Sequence, residues 1–283
     1  MKIILKLNKT VQENAAIYFE KSKKAKKKLD GALEAIEKSK KKLEKEKAKF
    51  EEEQVLENEK QKKAANKRIK KHWYEKFRWF VSSEGFLVIG GRDATTNEIV
   101  IKKHTDNDDI VFHTDMSGSP FFVVKSKIKI KDGKETKTTK KPTEITLQEV
   151  ANATVVYSRA WKLGMSASEV FHVLPEQVTK SANTGEFLPK GAFMIRGKTT
   201  YMKAGKMEVA IGIKEFDENG KKVIIVISGP ESAISNQTKD FIVLQQGKDK
   251  VSDIAKKVRK KFGGELDDII RALPSGAFSI RKR

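Results

Sequence analysis

The first quarter of the chain carries a narrow apolar stripe within a highly charged sequence. From about Val11 to about Lys71 the residues are mostly Lys, Glu and Ala. Apolar or small residues recur there at alternating spacings of four and three, and then of seven: Val11, Ala15, Tyr18, Ser22, Ala25, Leu29, Ala32, Ile36, Leu43 and Phe50. This pattern predicts the seam of a coiled coil over residues 1–71. So narrow a stripe needs a second helix to bury it, either from another copy or from another polypeptide.

After Trp73 the pattern changes to short runs of β-branched and aromatic residues, which are typical of strands. The aromatic cluster between Trp73 and Phe80 is expected to be core. The predicted strands are Phe86–Ile89, Glu98–Lys102, Ile110–His113, Phe121–Lys125, Val170–Leu174, Val209–Ile213 and Val223–Ile227. Strands and helices do not alternate strictly, so the folded part is predicted to be α+β.

Helices are predicted at three places after the strands begin. Thr146 and Glu149 match a capping box, and the helix they open is expected to run to about Lys162. Two shorter helices are predicted at Val251–Phe262 and Leu266–Leu273. We therefore divide the chain into a coiled-coil arm (1–71), a mixed α+β domain (72–204) and a C-terminal α+β extension (205–283).

The charge balance indicates a polyanionic partner. Lys and Arg total 59 against 38 Asp and Glu, which gives a formal net charge of +21. Such a charge concentrates nucleic acid around a protein, although a membrane surface is a rival polyanion. The chain has no Cys, so disulfides and thiolate sites are excluded. The first residues are too short an apolar run for a signal peptide, and we expect a cytoplasmic protein without a membrane-spanning segment.

Four ordered segments resemble the NFACT-R domain, the RNA-binding module of the NFACT family. They are residues 76–94, which end in Gly90-Gly91-Arg92-Asp93-Ala94, and residues 113–120, 171–181 and 191–198. The family includes the eukaryotic nuclear export mediator factor and bacterial proteins once named fibronectin-binding. Residues 72–204 are thereby identified as the NFACT-R domain, and residues 205–283 are similar to the extension of archaeal and eukaryotic members. The start of the arm resembles the family's second coiled-coil helix.

The resemblance implies a role in ribosome-associated quality control. Members of the family bind large ribosomal subunits stalled with peptidyl-tRNA, so the implied partners are the large subunit, rRNA and tRNA. Some members also recruit tRNA to extend the stalled peptide without a template, through an N-terminal NFACT domain that this sequence lacks. We therefore do not assign that activity, and we expect a separate polypeptide to supply the N-terminal half, unless the chain is a fragment. The alternative is a general nucleic-acid-binding coiled-coil module without a ribosomal role.

Basic residues near the strand ends and Gly-rich turns are the candidates for binding RNA. Arg92 could present its planar fork to a phosphate, or it could pair with Asp93 and only fix the turn. Trp161 could stack on an unpaired base. Recognition by phosphate contacts would read mainly the shape of the RNA. The candidate nucleic-acid-binding residues are Arg78, Arg92, Lys102, Lys103, Arg159, Trp161, Lys162, Lys180, Arg196 and Lys198.

No catalytic, metal or cofactor site is predicted. His113 and Asp115 have a spacing that suits metal ligands, but four scattered His and no Cys make a hydrogen-bonding role for His113 the better interpretation. Asp106, Asp108 and Asp109 crowd one loop without other signs of paired-carboxylate catalysis. The glycines of Gly191–Lys198 are too far apart for a nucleotide-binding P-loop. We therefore expect a binding protein and not an enzyme.

Overall fold

The chain folds into two units, Met1–Lys67 and Arg68–Arg283. The computed structural model describes residues 4–65, 72–131, 133–165, 169–182, 187–218 and 221–281. The first unit is dominated by one helix, and the second contains the sheets and the shorter helices. The α+β class predicted from the sequence is confirmed.

The helix of the first unit, α1 (Val11–Ala65), is 55 residues long, or about 80 Å at 1.5 Å per residue. Thr10 and Glu13 form its capping box, because the Thr10 amide donates to the Glu13 carboxylate (2.8 Å) and the Glu13 amide donates to the Thr10 hydroxyl (3.3 Å). Asn14 is buried, and its Nδ2 donates to the carbonyls of Lys6, Lys9 and Thr10. The residues before the helix are thus folded back against its first turns.

The predicted seam lies on the solvent side of α1 within the first unit. Leu29 is 60% exposed, Ile36 53% and Leu43 57%, so each retains more than half of its surface. The side chain of Phe50 lies outside the described residues. Gly31 does not break the helix. The seam therefore remains open to a partner helix.

The second unit is built from short strands and helices in the following order. It begins with a 3₁₀ turn (Trp73–Lys76), and a second 3₁₀ turn (Pro175–Gln177) precedes β7. The strands and helices are β1 (Arg78–Val81), β2 (Phe86–Gly90), α2 (Ala94–Lys103), β3 (Ile110–Thr114), β4 (Phe122–Lys131), β5 (Lys134–Lys137), α3 (Glu144–Val156), α4 (Arg159–Lys162), β6 (Glu169–Val173), β7 (Val178–Thr179), β8 (Met194–Ile195), β9 (Thr200–Lys203), β10 (Glu208–Glu218), β11 (Lys221–Gly229), α5 (Glu231–Ser235), β12 (Phe241–Lys250), α6 (Val251–Phe262), α7 (Leu266–Ala272) and β13 (Ala277–Ile280).

These strands form two main antiparallel sheets and one small one. The large sheet has the order β1-β2-β4-β3-β6-β9, with β5 paired to the outer part of β4 as a hairpin. The second sheet has the order β11-β10-β12-β13, and β7 pairs with β8 alone. Gly133 adopts a positive φ of 75° in the turn between β4 and β5, a conformation that glycine tolerates.

The centre of the large sheet, around β2 and the first half of β4, is buried on both faces, whereas β5 and β9 are largely exposed. On one face Phe86, Val88 and Phe122 pack with α3 and the second sheet. On the other face Leu87 and Ile89 pack with α2 and with the aromatic residues around Tyr74 and Phe77. The continuous apolar run of β2 follows from this burial, since neither face of the strand meets water. The predicted core role of the aromatic cluster is confirmed for Tyr74, Phe77 and Phe80.

The prediction of a strand at Glu98–Lys102 is wrong, because these residues lie in α2. Asp93 is the N-cap of this helix, and its carboxylate accepts a hydrogen bond from the Thr96 amide (2.8 Å). The β-branched run Ile99-Val100-Ile101 favours a strand locally. Burial of Val100 in the core stabilises the helix over the strand.

The predicted capping box at Thr146 is also wrong. The helix α3 begins at Glu144 and is capped by Thr143, and Thr146 is buried inside it. The Thr146 hydroxyl instead donates to the carboxylate of Glu84 (2.6 Å). The carboxylate of Glu149 accepts from the Ser83 amide (2.9 Å), so it holds the turn between β1 and β2 rather than its own helix end. The helix ends at Val156, and Ser158 caps the separate α4.

The predicted boundary between residues 204 and 205 separates the two sheets in sequence but not in packing. Val209 and Phe278 of the second sheet share one core with Phe122 and Trp161. The two predicted C-terminal helices are confirmed as α6 and α7. Gly247 lies where β12 shifts its register against β13, and a side chain there would collide with the backbone of Phe278.

A buried ion pair ties the start of β3 to β4. The side chains of Lys125 and Asp109 are 3% and 2% exposed, and the ammonium group donates to Asp109, to Asp106 (2.7 Å) and to the His104 carbonyl (2.9 Å). Burial raises the pKa of Asp109, while its hydrogen bond to Lys125 lowers it.

Among the described helices, none is long and apolar enough to cross a membrane.

We predict that Lys125→Ala lowers the free energy of unfolding by about 3–5 kcal/mol, because it leaves the Asp109 carboxylate buried without its cation. Urea denaturation followed by circular dichroism measures this. The matched control is Lys127→Ala, since the Lys127–Asp108 pair is exposed and contributes about 0–1 kcal/mol. Equal stability losses in the two variants would contradict the structural role of Lys125.

Candidate nucleic-acid interface

The Gly-Gly turn after β2 fixes the backbone of Arg92. Gly91 has no side chain, and the space that one would fill is occupied by the Asn97 side chain. The side-chain Oδ1 of Asn97 in turn accepts a hydrogen bond from the Phe121 amide (3.2 Å). The Arg92 amide donates to the Thr96 hydroxyl (2.8 Å). Arg92 is therefore held between a buried strand and the N-terminus of α2.

The guanidinium of Arg92 is anchored by main-chain carbonyls. Its Nη2 donates to the carbonyl oxygens of Phe77 (2.8 Å) and Glu75 (3.4 Å). Burial lowers the pKa of Arg92, and the positive charge of Arg271 lowers it further. Among the ion pairs of the described residues, none joins Arg92 to Asp93. Main-chain carbonyls, and not an ion pair with Asp93, therefore hold the Arg92 guanidinium.

Arg78 lies beside Arg92 and is more deeply packed. Its Nη1 donates to the Leu273 carbonyl (3.2 Å), and its guanidinium carbon lies 4.5 Å from the centre of the Tyr157 ring. Burial lowers the pKa of Arg78, and the charge of Arg92 acts in the same direction. The guanidinium therefore joins the NFACT-R-like part of the chain to the segment after α7.

The short helix α4 exposes two cations and buries its tryptophan. Arg159 and Lys162 are exposed. Trp161 is 1% exposed, and its Nε1 donates to the Ala277 carbonyl (3.2 Å). Because no face of its ring reaches the surface, Trp161 is unavailable for base stacking, and the expectation for this residue is corrected. Its ring packs with Phe278 in the core.

The other candidates lie at the far end of α2 and on the β7–β8 hairpin. The ammonium groups of Lys102 and Lys180 lie 3.1 and 3.3 Å from the Glu98 carboxylate, which offsets part of their charge. Lys180 also donates to the Ala192 carbonyl (2.8 Å). Lys103 is exposed in the last turn of α2.

Arg196 and Lys198 flank Gly197 in an exposed turn after β8. Gly197 has a positive φ of 82°. The Gln177 side chain donates to the carbonyls of both Arg196 and Lys198 (2.9 Å each), so this turn is fixed although it is exposed. The Arg196 guanidinium donates to the Ser181 carbonyl (3.2 Å).

The comparison with known proteins decides the family of this domain. Residues 76–197 match the family described as NFACT protein RNA binding domain. The chain contains an NFACT-R domain. The protein named Archaeal Rqc2 homolog aRqcH, from Methanocaldococcus jannaschii, is 42% identical over 230 residues, which cover 80% of this chain and 32% of that protein.

Two eukaryotic relatives carry ribosome quality control in their names. Ribosome quality control complex subunit NEMF from Homo sapiens is 36% identical over 191 residues, covering 67% of this chain and 16% of that protein. Ribosome quality control complex subunit 2 from Schizosaccharomyces pombe is 34% identical over 158 residues, covering 54% of this chain and 14% of that protein. The chain thus spans about a third of the archaeal relative's length (32%) and less of the other two.

Four of the candidate residues form two groups that flank α2, whereas no hydrogen bond or ion pair joins Arg159, Lys162, Arg196 or Lys198 to either group within the described residues. Arg78 and Arg92 lie at its N-terminal side, together with the carbonyls that hold them. Lys102 and Lys180 meet at Glu98 near its other end. The loop before β8 packs against the N-terminus of α2, since Ala94 occupies the space that a Gly191 side chain would fill. The helix between the groups has 10 residues, or about 15 Å of length.

Two sets of basic residues were missed by the sequence interpretation. Arg271 lies in the last turn of α7, and its positive charge lowers the pKa of Arg92. The second set lies on α6, which buries Ile254 and Val258 and exposes one basic face: Lys256, Lys257, Lys260 and Lys261. The Lys run within an amphipathic helix was the available signal for this face.

The groups that suggested metal or acid–base chemistry have structural partners. His113 Nε2 lies 3.1 Å from the Ser119 carbonyl, whereas Asp115 accepts from the Tyr201 hydroxyl (3.2 Å). Asp109 is held by Lys125. Within the described ranges, no group of three His, Asp or Glu residues could hold a metal ion.

We predict that the domain loses stability between about pH 7 and about pH 5.5. Burial lowers the pKa of His104, His113 and His172, so the unfolded chain takes up protons first, near its ordinary histidine pKa of about 6.5. Stability then falls as pH falls, by at most about 1.4 kcal/mol per histidine and pH unit. Urea titrations across this range measure the slope, and His172→Gln should reduce it. A stability that rises on acidification would refute the assignment.

Proposed function

We propose that this chain is an RNA- and ribosome-binding component of ribosome-associated quality control, which recognises stalled large subunits carrying peptidyl-tRNA. It acts in the cytoplasm as a binding protein, without an active site of its own. The observation that carries the proposal is the NFACT-R domain at residues 76–197, in a chain 42% identical to a protein named as an archaeal Rqc2 homolog.

The charge and geometry of the domain support RNA as its ligand. Arg78, Arg92 and Lys180 are fixed by main-chain carbonyls, so little side-chain freedom is lost when they bind. Their donors suit phosphate oxygens, and phosphate contacts recognise A-form RNA by its shape. The proposed surface comprises Arg78, Arg92, Lys102, Lys103, Arg159, Lys162, Lys180, Arg196 and Lys198, which contact rRNA or tRNA.

The open seam of α1 supports a second part of the proposal. A separate polypeptide carrying the N-terminal NFACT half would supply the helix that buries Leu29, Ile36 and Leu43, which are all more than half exposed. The arm would then lie along the large subunit as a two-helix coiled coil. A second copy of this chain is the competing occupant of the seam.

We predict that the purified chain sediments with free large subunits more than with small subunits, and that tRNA competes better than duplex DNA. The triple variant Lys103→Gln, Arg159→Gln and Lys198→Gln should weaken binding. It should also reduce the slope of log K against log salt by about 0.7–0.9 for each phosphate that the variant no longer neutralises. These side chains are exposed and form no ion pair within the described part of the chain.

The matched control removes the same charge from the β4–β5 hairpin region, through Lys134→Gln, Lys137→Gln and Lys140→Gln, all exposed positions. Sedimentation at two salt concentrations compares the variants. If both triple variants lose binding equally, or if any nucleic acid competes equally, the chain is a general polyanion binder and the ribosomal proposal fails.

We predict that Leu29→Gln with Ile36→Gln prevents the chain from binding a polypeptide that carries the N-terminal NFACT half, because it makes the seam polar. Lys24→Gln with Lys27→Gln, on the opposite side of the predicted heptad, should leave binding unchanged. Analytical ultracentrifugation of the mixtures measures the complex. A wild-type chain that forms only homodimers would assign the seam to a second copy instead.

A further inference from the structure

Three arginines from distant parts of the chain lie on segments that pack together, because the end of α7 contacts Arg78 and Tyr157. Arg78 begins β1, Arg92 follows β2, and Arg271 lies in the last turn of α7. Arg78 donates to the carbonyl of Leu273, two residues beyond Arg271. We name Arg78, Arg92 and Arg271 the arginine cluster.

Main-chain contacts fix the geometry of the arginine cluster. Arg92 donates to the carbonyl of Phe77, which directly precedes Arg78 (2.8 Å). The Tyr157 hydroxyl donates to the Ala272 carbonyl (2.8 Å), and the ring of the same tyrosine lies under the Arg78 guanidinium. Arg78 and Arg92 are therefore fixed beside the end of α7, whose last turn carries Arg271.

The described residues supply no carboxylate partner for the cluster. None of their ion pairs includes Arg78, Arg92 or Arg271. The nearby Asp93 and Asp268 act favourably on Arg92 through their charge. However, the Asp93 carboxylate is committed to capping α2. Arg92 experiences unfavourable charge from Arg271, and Arg78 from Arg92, so a bound anion would relieve this repulsion.

The hydrogen-bonding capacity of Arg92 is also incompletely used. Its guanidinium has several N–H donors, but only Nη2 has acceptors among the described residues. Its Nε is buried without a hydrogen-bond partner. A buried donor left in this state is unfavourable, and native proteins seldom retain one without a ligand, a water or a functional reason.

We propose that the arginine cluster binds one backbone phosphate of the RNA, with Arg92 and the exposed Arg271 as the two contacting groups. Arg78 acts as a positioning residue, since its guanidinium is held by Leu273 and Tyr157. The inference rests on the proposed RNA-binding function. Paired planar guanidinium groups suit the tetrahedral oxygens of a phosphate, to which each can donate two hydrogen bonds.

The proposal assigns a role to the C-terminal extension. The matched NFACT-R region ends at residue 197, whereas Arg271 and the carbonyl that holds Arg78 both come from the end of α7. Residues 76–197 alone would therefore present an incomplete phosphate site. The extension completes the site by packing its sheet and α7 against the domain.

The test uses the full chain and a labelled tRNA in fluorescence anisotropy titrations. Arg271→Gln should weaken binding about tenfold, and Arg271→Lys should recover only part of the loss because the planar fork is missing. Arg92→Lys should weaken binding similarly. Since both arginines hold one phosphate, the double variant should lose less than the product of the two single losses. Lys134→Gln is the control that removes one charge elsewhere.

Inorganic phosphate, followed through the arginine side-chain N–H signals in NMR, separates the sources of the anion. Phosphate should shift the Arg92 signals in the wild type and not in Arg271→Gln, and tRNA should displace it. Phosphate could bind without being displaced by tRNA, and tRNA binding could be unchanged in Arg271→Gln. In that case the site serves a free anion and the proposal is overturned.

The proposal and the general function can fail separately. If Arg271→Gln matches the control while the wild type still sediments with large subunits, the phosphate site is wrong and the ribosomal function stands. If the wild type binds neither tRNA nor subunits, the proposed function fails and the arginine cluster loses its assigned ligand with it. Arg271 is exposed, so circular dichroism of its variants should remain that of the wild type.

Discussion

Strand β2 and the first half of β4, Phe122–Ser126, have no face toward water, and this burial places the elements that carry the basic residues. α3 and the second sheet cover one face, while α2 and the aromatic residues around Tyr74 and Phe77 cover the other. Because both faces of β2 are covered, little space remains for side chains where the chain leaves the strand. The Gly-Gly turn is the consequence, since a side chain at Gly91 would overlap Asn97. The position of Arg92 follows from it.

The same packing explains why the cations are held by carbonyls. The main-chain oxygens of Phe77 and Leu273 lie where strands and helices end, and Arg92 and Arg78 satisfy them. A carbonyl orients a guanidinium without neutralising it, so the positive charge remains available to a ligand. Lys125 shows the opposite arrangement: carboxylates surround it, and its charge is used within the fold. The domain thus separates Lys125, whose charge is used in the core, from Arg78 and Arg92, whose charge is left for the proposed RNA ligand.

The two units differ in what completes them. The second unit buries its apolar residues internally, whereas the seam of α1 keeps Leu29, Ile36 and Leu43 exposed. A helix of this length with so narrow a stripe gains its stability from association rather than from helix propensity alone. The proposed partner polypeptide and the proposed RNA surface therefore rest on independent parts of the chain. Either proposal can be rejected without the other.

The sequence by itself determined the long helix, most strands, the two C-terminal helices and the NFACT-R family, because periodicity and ordered motifs are local signals. It did not determine α2, where the β-branched run Ile99-Val100-Ile101 favours a strand and tertiary packing outweighs that preference. Nor could it show that Thr146 bonds to Glu84 instead of capping a helix, or that Trp161 is buried. The approach of the end of α7, which carries Arg271, to Arg78 was decided only by the tertiary structure. Residues so far apart in the chain become neighbours through the packing of α7 against the sheets, for which sequence spacing carries no signal.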